Sequence, residues 1–581
     1  MRRASRWTGT VAVVGWVASS CMATGSTTGT STRPQPRSSG GYDLVIEGGR
    51  VVDGTGAAWF YGDLAIQDDR IVRIAPPGML RSVAARDRID ATGLVVAPGF
   101  IDIQGQSQSQ TLRGDGRLIS KVTQGVTTEI LGEGSTMAPV NDRIIEAGGV
   151  RDSAAVARLR RFEGPRGFDA WLRAIEAHGV SANIGSFVGA STIRTYGRGL
   201  AMGPASQAEM EEMQEAVRNA MRDGAFGLAS ALIYPPGNFA TTEELTLLGR
   251  AMAPFGGLYI THMRSEADRL LEAIDEAIEI GRRGGVPVEI FHLKAAGKRN
   301  FPKMRAAIAK IDSARAAGLD VQADMYPYAA AGTGLTACFP PWVSADGRLL
   351  QNLRDPRVRQ RIREEIRSND GSWENLCDLA TPEGVMLLGF EREGNRGLMG
   401  RRLADVAKMM GSDWIDTAMD LVLSEEQRIG TVYFMMDEDN VRLGLQQPWI
   451  KIGTDASGVD PDAETGLVHP RAYGTFPRIL GRYVREEGLL TLEDAVRKMS
   501  SAVSTRLRIP DRGVLAEGWY ADVVVFDPET VGDRATFEEP HQLSTGVLHV
   551  LVNGVPVVRD GSHTGATPGR ALRGPGWTGR R

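Results

Sequence analysis

The feature that most constrains the fold is a regular alternation of short apolar segments with helical segments along the middle of the chain. This pattern is typical of a parallel sheet, in which a helix packed on the face of the sheet connects each strand to the next. Eight such units over about 400 residues fit a (β/α)8, or TIM-like, barrel with insertions. The predicted strands are 94–103, 127–132, 182–188, 224–231, 258–263, 286–294, 319–326 and 449–455.

Two helices have clear boundary signals. One is predicted at 206–222, where Ser206 and Glu209 are spaced as a capping box and Gly224 follows the last turn. Another is predicted at 266–283 from apolar residues at helical spacing. The stretch between the seventh and eighth strands is too long for a plain connection, so we expect an inserted lid at about 335–447 over the barrel mouth.

Both ends of the chain carry short strand-like runs separated by glycine. They lie at 43–46, 50–53, 63–67 and 70–74, and again at 521–526, 547–552 and 555–558. We therefore predict an α/β fold in which residues 97–499 form the barrel. Residues 42–96 and 500–572 together form a small β-sandwich domain built from both termini.

The first residues have the order of an export signal. Three arginines at positions 2, 3 and 6 precede an apolar run at 11–18 that is too short to span a bilayer, and small residues lead to Cys21. We interpret 1–21 as a signal peptide and expect a periplasmic protein. Residues 18–21 loosely resemble a lipoprotein cleavage site, so a lipid anchor at Cys21 stays open. Residues 22–41, rich in Ser, Thr, Gly and Pro, are predicted to be a flexible linker.

The net charge of the chain argues against two classes of partner, and the two cysteines beyond Cys21 leave their redox state open. A net charge of −4 and a pI near 6.1 give no reason to expect nucleic acid or an anionic membrane surface as a partner. Cys338 and Cys377 fit either one disulfide, which an oxidising compartment favours, or two buried thiols.

Polar residues stand where the predicted barrel strands end, and such positions carry the chemistry of TIM barrels. His262 and His292 end adjacent strands, which lie about 4.8 Å apart in a sheet, so their imidazoles can share one metal ion. Asp455 ends an apolar strand, where a carboxylate is costly unless it meets a metal, a proton donor or a cation. The other polar residues at strand ends are Gln104, Gln106, Glu133, Lys294 and Tyr326. The pattern predicts a metal-dependent catalytic site.

From Tyr42 to about Leu572 the chain resembles the amidohydrolase superfamily and, within it, the N-acyl-D-amino-acid deacylases, or D-aminoacylases. Many short motifs occur in the family's order: Ala-Pro-Gly-Phe-Ile-Asp at 97–102, Gly-Val-Thr-Thr at 125–128, Gly-Ala-Phe-Gly-Leu at 224–228, Ile-Tyr-Pro-Pro-Gly at 233–237, Thr-His-Met-Arg at 261–264, Tyr-Pro-Tyr at 326–328, His-Pro-Arg at 469–471 and Tyr-Ala-Asp-Val-Val-Val-Phe-Asp at 520–527. The resemblance implies a distorted (β/α)8 barrel with a small β domain.

The resemblance also implies roles for site residues. A tightly held zinc ion is expected on His262, His292 and a cysteine after the second strand. A weaker second site is expected on a His-x-His motif after the first strand and on Asp455, which also handles the proton of the attacking water. Lys294 and Tyr326 are expected to hold the substrate carboxylate, with help from Arg471.

The chain departs from the family pattern at three places: the His-x-His positions are Gln104-Gly105-Gln106, the cysteine position falls at Gly132-Glu133-Gly134-Ser135, and a further histidine position is Ala190. An amide oxygen is a poor zinc ligand, so we expect the weaker site to be lost. His262, His292 and Glu133 would form a two-histidine, one-carboxylate set with an open position for water. One zinc ion is therefore favoured over two.

Three alternatives concern single residues in this site. A solvated loop carboxylate is the alternative for Glu133, because the glycines on both sides leave its direction open. Gln104 and Gln106 either hydrogen-bond to each other or to Asp455, or contact the substrate. Lys294 either binds substrate or pairs with a carboxylate on the barrel rim.

The predicted function is metal-dependent hydrolysis of the amide bond of N-acyl amino acids, and of N-acyl-D-amino acids by resemblance, with Asp455 as the proton shuttle. The partner is then a small molecule that carries a carboxylate. Two alternatives stay open. One is a barrel that has lost catalysis and binds carboxylates or peptides. The other is a hydrolase of lactones or cyclic amides.

Overall fold

The computed structural model describes residues 41–426 and 428–579. The predicted signal peptide, the lipid-anchor position Cys21 and the linker up to residue 40 lie outside the described residues. Within the described part, no helix is both long enough and apolar enough to cross a membrane.

Strands from both ends of the chain form one mixed sheet. Its members are β1 (Tyr42–Val51), β2 (Phe60–Gln67), β3 (Arg70–Ala75), β4 (Ala85–Asp90), β5 (Val95–Pro98), β18 (Val523–Phe526), β19 (Val547–Val552), β20 (Val555–Arg559) and β21 (Ser562–His563). Their order is β21-β20-β19-β18-β5-β1-β2-β3, and β4 pairs with β1. The two predicted runs at 43–46 and 50–53 are a single strand, because the glycines between them form a bulge in β1.

The barrel strands are β6 (Phe100–Asp102), β7 (Val126–Leu131), β8 (Asn183–Ser186), β9 (Val188–Gly189), β10 (Gly227–Ala231), β11 (Leu258–His262), β12 (Val288–Ile290), β13 (Val321–Met325) and β17 (Ile450–Ile452). They pair in parallel as β6-β7-β8 and β9-β10-β11-β12-β13-β17. Only Phe187 separates β8 from β9, and a parallel bridge between Gly105 and Ala456 joins the first strand to the last. The predicted eight-unit barrel is confirmed.

One predicted strand, 94–103, divides between the two sheets. β5 joins the terminal sheet and β6 joins the barrel, and the chain crosses between them at Gly99. A Cβ atom at Gly99 would lie 2.2 Å from the Thr127 side chain, so glycine is needed at this crossing.

The helices that surround the barrel are α1 (Ile119–Val122), α2 (Asp142–Ala147), α3 (Ser153–Arg160), α4 (Gly167–His178), α5 (Ala190–Arg198), α6 (Gln207–Asp223), α7 (Thr242–Met252), α8 (Leu270–Gly284), α9 (Lys303–Ala316), α15 (Glu438–Leu445), α16 (Arg471–Arg478), α17 (Leu492–Met499) and α18 (Ser501–Leu507), with a π-helix at Ile479–Glu486. The capping box of Ser206 and Glu209 on α6 is confirmed, and Gly224 ends that helix at φ +107°.

The second predicted helix was placed wrongly at its start. α8 begins at Leu270, not at residue 266. The backbone N–H of Glu266 and the hydroxyl of Ser265 both donate to the Glu374 carboxylate, which holds this segment in a non-helical path.

An insertion between β13 and β17 has a hydrophobic core of its own. It contains β14 (Ala331–Gly334), β15 (Val385–Leu387) and β16 (Gly430–Tyr433), with helices α10 (Leu349–Arg354), α11 (Pro356–Arg367), α12 (Leu376–Ala380), α13 (Leu403–Met410) and α14 (Trp414–Glu425). Cys338 and Cys377 form a disulfide inside it. Its sheet begins before the predicted boundary, at Ala331, whereas Val441 and Leu445 of α15 belong to the barrel core.

Candidate active site

A cavity of about 390 Å³ opens at the carboxyl ends of the barrel strands. The insertion forms its other wall. The barrel residues that line it include Gln106, Glu133, His262, His292, Lys294, Tyr326, Asp455 and Arg471, and the insertion contributes Thr333, Leu376, Arg428 and Met435. The predicted site residues therefore line one cavity, except Gln104, which is buried beside Glu133. Residues from both parts of the chain enclose a space of small-molecule size.

Three of the lining residues form a group that fits a metal ion. His262 is the last residue of β11, His292 lies two residues beyond β12, and Glu133 lies two residues beyond β7. One potential ligand atom from each lies within 4.8 Å of the others. Two imidazole nitrogens and a carboxylate oxygen are a donor set known for zinc with an open position. Nε2 of His262 is buried without a hydrogen-bond partner among the described residues.

The Glu133 carboxylate uses its two oxygens differently. Oε1 lies 3.1 Å from Nδ1 of His262 and 3.2 Å from Nε2 of His292. Oε2 accepts hydrogen bonds from the side-chain amides of Gln104, at 2.7 Å, and Gln106, at 2.6 Å. Burial opposes ionisation, but the two imidazoles hold the pKa of Glu133 well below its usual range. Glu133 thus offers an anionic oxygen between the histidines.

A second carboxylate, Glu266, lies behind the histidines and was not predicted as a site residue. Its Oε1 lies 2.8 Å from Nδ1 of His292 and accepts a 2.6 Å hydrogen bond from Lys294. Its Oε2 lies 3.7 Å from Nε2 of His262. Each imidazole therefore has one nitrogen near Glu133 and the other near Glu266. Carboxylates in this position fix the orientation of metal-binding histidines.

The position of Glu266, four residues after His262, was the available signal in the sequence. The helix predicted at 266–283 conceals this signal, whereas α8 begins only at Leu270. Tyr234, whose ring meets that of His262 edge-on at 5.2 Å, was also missed. It follows β10, within the Ile-Tyr-Pro-Pro-Gly motif.

Lys294 is buried and its charge is already partly compensated. Its ammonium group contacts both Glu266 and, at 2.7 Å, Nδ1 of His292. Burial and the Lys294 charge oppose protonation of His292, but Glu266 and Glu133 raise the pKa of His292 to about 10 in the metal-free chain. Lys294 also lines the cavity, so a role in substrate binding stays a prediction.

Asp455 lines the same cavity as the histidine pair. Its Oδ2 lies 2.8 Å from Nη1 of Arg471, and its Oδ1 accepts a 3.3 Å hydrogen bond from Gln106. Burial raises the pKa of Asp455; Arg471 opposes this rise and Glu133 reinforces it. The Arg471 guanidinium lies 4.6 Å from the centre of the Tyr326 ring. The site therefore contains a carboxylate, Asp455, with a raised affinity for a proton, and a cation, Arg471, that packs on the aromatic ring of Tyr326.

A buried ionic network holds the first and last barrel strands together below this site. Lys121 donates to Asp102, Thr454 and the carbonyl of Ala456 at 2.6–2.7 Å, and lies 3.3 Å from Glu129. Both Asp102 and Lys121 are fully buried. Asp102 also accepts from the backbone N–H of Thr454, at 2.9 Å. The network fixes the backbone on either side of Gln104 and Asp455.

Comparison with known proteins places this architecture among amidohydrolases. Residues 392–558 match the profile described as "Amidohydrolase family". D-aminoacylase of Alcaligenes xylosoxydans xylosoxydans is 36% identical over 533 residues, which cover 91% of this chain and 97% of that relative.

Two solved structures are similar over nearly the whole described chain. One is a D-aminoacylase, described by one-metal activation and second-metal attenuation of a binuclear centre, with 34% identity and a TM-score of 0.74. The other is the N-acyl-D-glutamate deacylase of Bordetella bronchiseptica, bound to zinc and a phosphonate mimic of the tetrahedral intermediate, with 33% identity and a TM-score of 0.74. Each match covers 92% of this chain and 100% of the other.

Proposed function

Because the chain belongs to the N-acyl-D-amino-acid deacylase family of amidohydrolases, we propose that it hydrolyses the amide bond of N-acyl amino acids, in particular N-acyl-D-amino acids. The observation that carries the proposal is the group formed by Glu133, His262 and His292, whose ligand atoms lie within 4.8 Å of one another in the cavity. Asp455 joins this group through the Gln106 amide, which contacts both carboxylates.

We propose one zinc ion on Glu133, His262 and His292. Such an ion would polarise the scissile carbonyl and lower the pKa of the attacking water. The zinc-bound deacylase among the relatives supports the choice of metal, and the D-aminoacylase described by one-metal activation supports a single ion. The glutamines at the first-strand positions also favour one ion, since amides are weak zinc ligands.

Asp455 is proposed as the group that moves the proton. It accepts a proton as the water oxygen bonds to the carbonyl carbon, and it returns that proton to the nitrogen as the carbon–nitrogen bond breaks. Its raised pKa suits both steps, because a carboxylate of ordinary pKa would be a weak acid–base catalyst near neutral pH.

Arg471 is proposed as the main contact of the substrate carboxylate. Its Nε and Nη1 atoms donate no hydrogen bond within the described residues, although Nη1 lies beside Asp455. A substrate carboxylate would share this cation with Asp455 and hold the amide bond next to it. Lys294 adds a second positive charge near the Tyr326 ring, and the Arg471 guanidinium packs against the same ring.

The test is a panel of N-acetylated D- and L-amino acids, a lactone and a cyclic amide, incubated with zinc-loaded and chelator-treated protein. We expect zinc-dependent release of free amino acid from N-acyl-D-amino acids. Asp455→Asn should lower kcat about 100-fold or more, the usual weight of general acid–base catalysis. Opening of the lactone or cyclic amide alone would move the function to that class. Binding without turnover of any compound would favour a carboxylate-binding barrel.

A further inference from the structure

The residues that replace the family's first pair of histidines have a defined contact here. Both amide groups, of Gln104 and Gln106, donate to the same oxygen of Glu133, at 2.7 and 2.6 Å. The other oxygen faces His262 and His292. No hydrogen bond joins the two glutamine side chains, and Oε1 of Gln104 has no partner among the described residues, so the shared contact of the two amides is the Glu133 carboxylate.

We propose that Gln104 and Gln106 are positioning residues. They hold the Glu133 carboxylate so that only one of its oxygens faces the two histidines, and they restrict the site to a single metal ion. This inference rests on the proposed function. Gly132 and Gly134 flank Glu133 with φ values of +116° and +66°, which fix the path of the backbone but not the rotamer of the Glu133 side chain. The two N–H donors supply the missing constraint, since they engage Oε2 and leave Oε1 toward the histidines.

The glutamine pair is itself held firmly by the barrel. The backbone N–H of Gln104 donates to Asp102, its carbonyl accepts from the N–H of Asp455, and the N–H of Gln106 donates to the carbonyl of Ala456. Between the two glutamines, a Cβ atom at Gly105 would lie 2.1 Å from the Glu129 side chain. The amides therefore project from the seam between the first and last strands with little freedom, as outer contacts of a metal ligand must.

The same contacts act against a second ion. A second ion held between Glu133 and Asp455 would draw on the carboxylates of both residues. Oε2 of Glu133 and Oδ1 of Asp455 both accept hydrogen bonds from the NH2 group of Gln106, and Oε2 accepts a further one from Gln104. A second cation would have to displace both amides, whose nitrogens are not metal ligands and whose carbonyl oxygens are weak ones. The partial positive charge of the two NH2 groups replaces part of the charge that such an ion would supply.

Titration of the metal-free protein with Co²⁺, followed by visible absorption, tests the proposal without reference to turnover. We expect the wild-type chain to saturate at one ion. Gln104→Ala combined with Gln106→Ala should weaken Co²⁺ binding by about 10–100-fold, the usual cost of losing contacts to a metal ligand, and change the absorption spectrum. Gln104→His combined with Gln106→His should take up a second ion.

Gln108→Ala is the matched control. Gln108 lies in the same loop, and its amide donates to the carbonyl of Ser135 rather than to Glu133, so its spectrum and affinity should match those of the wild type. Two tightly bound ions in the wild type, or an unchanged spectrum and affinity in the double alanine variant, would overturn the positioning role while leaving a metal-dependent hydrolase intact. Absence of any Co²⁺ binding to the wild type would overturn both this inference and the proposed function.

Discussion

At the scale of the residue, the site depends on how a few charges are paired. Glu133 lies between two imidazoles, and Glu266 lies on the far side of the same two rings. Each histidine thus has one nitrogen near each carboxylate. A metal ion on the Glu133 side and N–H donation from Nδ1 to Glu266 would satisfy the ring of His292, whereas Nε2 of His262 lies 3.7 Å from Glu266, beyond hydrogen-bond distance. This division of roles makes Glu133 the residue on which metal binding depends most.

We expect Glu133→Ala to weaken zinc binding about 100-fold or more, because loss of a ligand should cost at least as much as loss of an outer contact. Competition with a coloured chelator measures the dissociation constant. Glu146→Ala, a change on the exposed face of α2, is the control and should leave it unaltered. If Glu133→Ala binds zinc as tightly as the wild type, Glu133 is not a ligand and its contacts with the histidines are only hydrogen bonds.

At the scale of the element, the insertion is joined to the barrel by a buried carboxylate. Glu374, just before α12, accepts from the Ser265 hydroxyl at 2.8 Å and from the Glu266 N–H at 2.7 Å. Its other oxygen is buried without a partner among the described residues. Burial and the nearby Glu266 charge raise the pKa of Glu374 to about 7. The contact between the insertion and the segment that carries Glu266 therefore depends on the protonation state of Glu374, and so on pH.

The sign of this dependence follows from the raised pKa. Below pH 4.5, the usual value of the group, Glu374 is protonated whether the chain is folded or unfolded. As pH rises toward 7, the unfolded chain loses the proton and the folded chain keeps it, so stability is lost. We expect Glu374→Gln to stabilise the protein at pH 8 by up to about 3 kcal/mol and to change little at pH 4.5.

Thermal unfolding midpoints at the two pH values measure this effect. Glu364→Gln, at an exposed position of α11 in the same insertion, is the control. Equal shifts of the midpoint for Glu374→Gln at both pH values would mean that Glu374 is not protonated in the folded chain near neutral pH.

At the scale of the whole molecule, the sequence predicted the barrel because strand–helix alternation is a property of long segments. It also placed His262, His292 and Asp455 on one rim of the barrel, because the end of a strand fixes the position of the Cα atom that carries the side chain. It grouped Glu133 with the two histidines but left a solvated position open, because Glu133 lies between glycines. It did not predict the contact of Glu266, which depends on a residue in the insertion. Export and a lipid anchor stay predictions, because residues 1–40 lie outside the described part.

The most direct measurement is a zinc titration of the metal-free protein with an N-acyl-D-amino acid as substrate, in which release of the free amino acid is followed as zinc is added. The account predicts no release without metal, a linear rise with added zinc, and full activity at one zinc ion per chain. Full activity without metal, or a rise that continues to two ions per chain, would contradict a one-metal hydrolase. No release at any zinc level would contradict the proposed reaction itself.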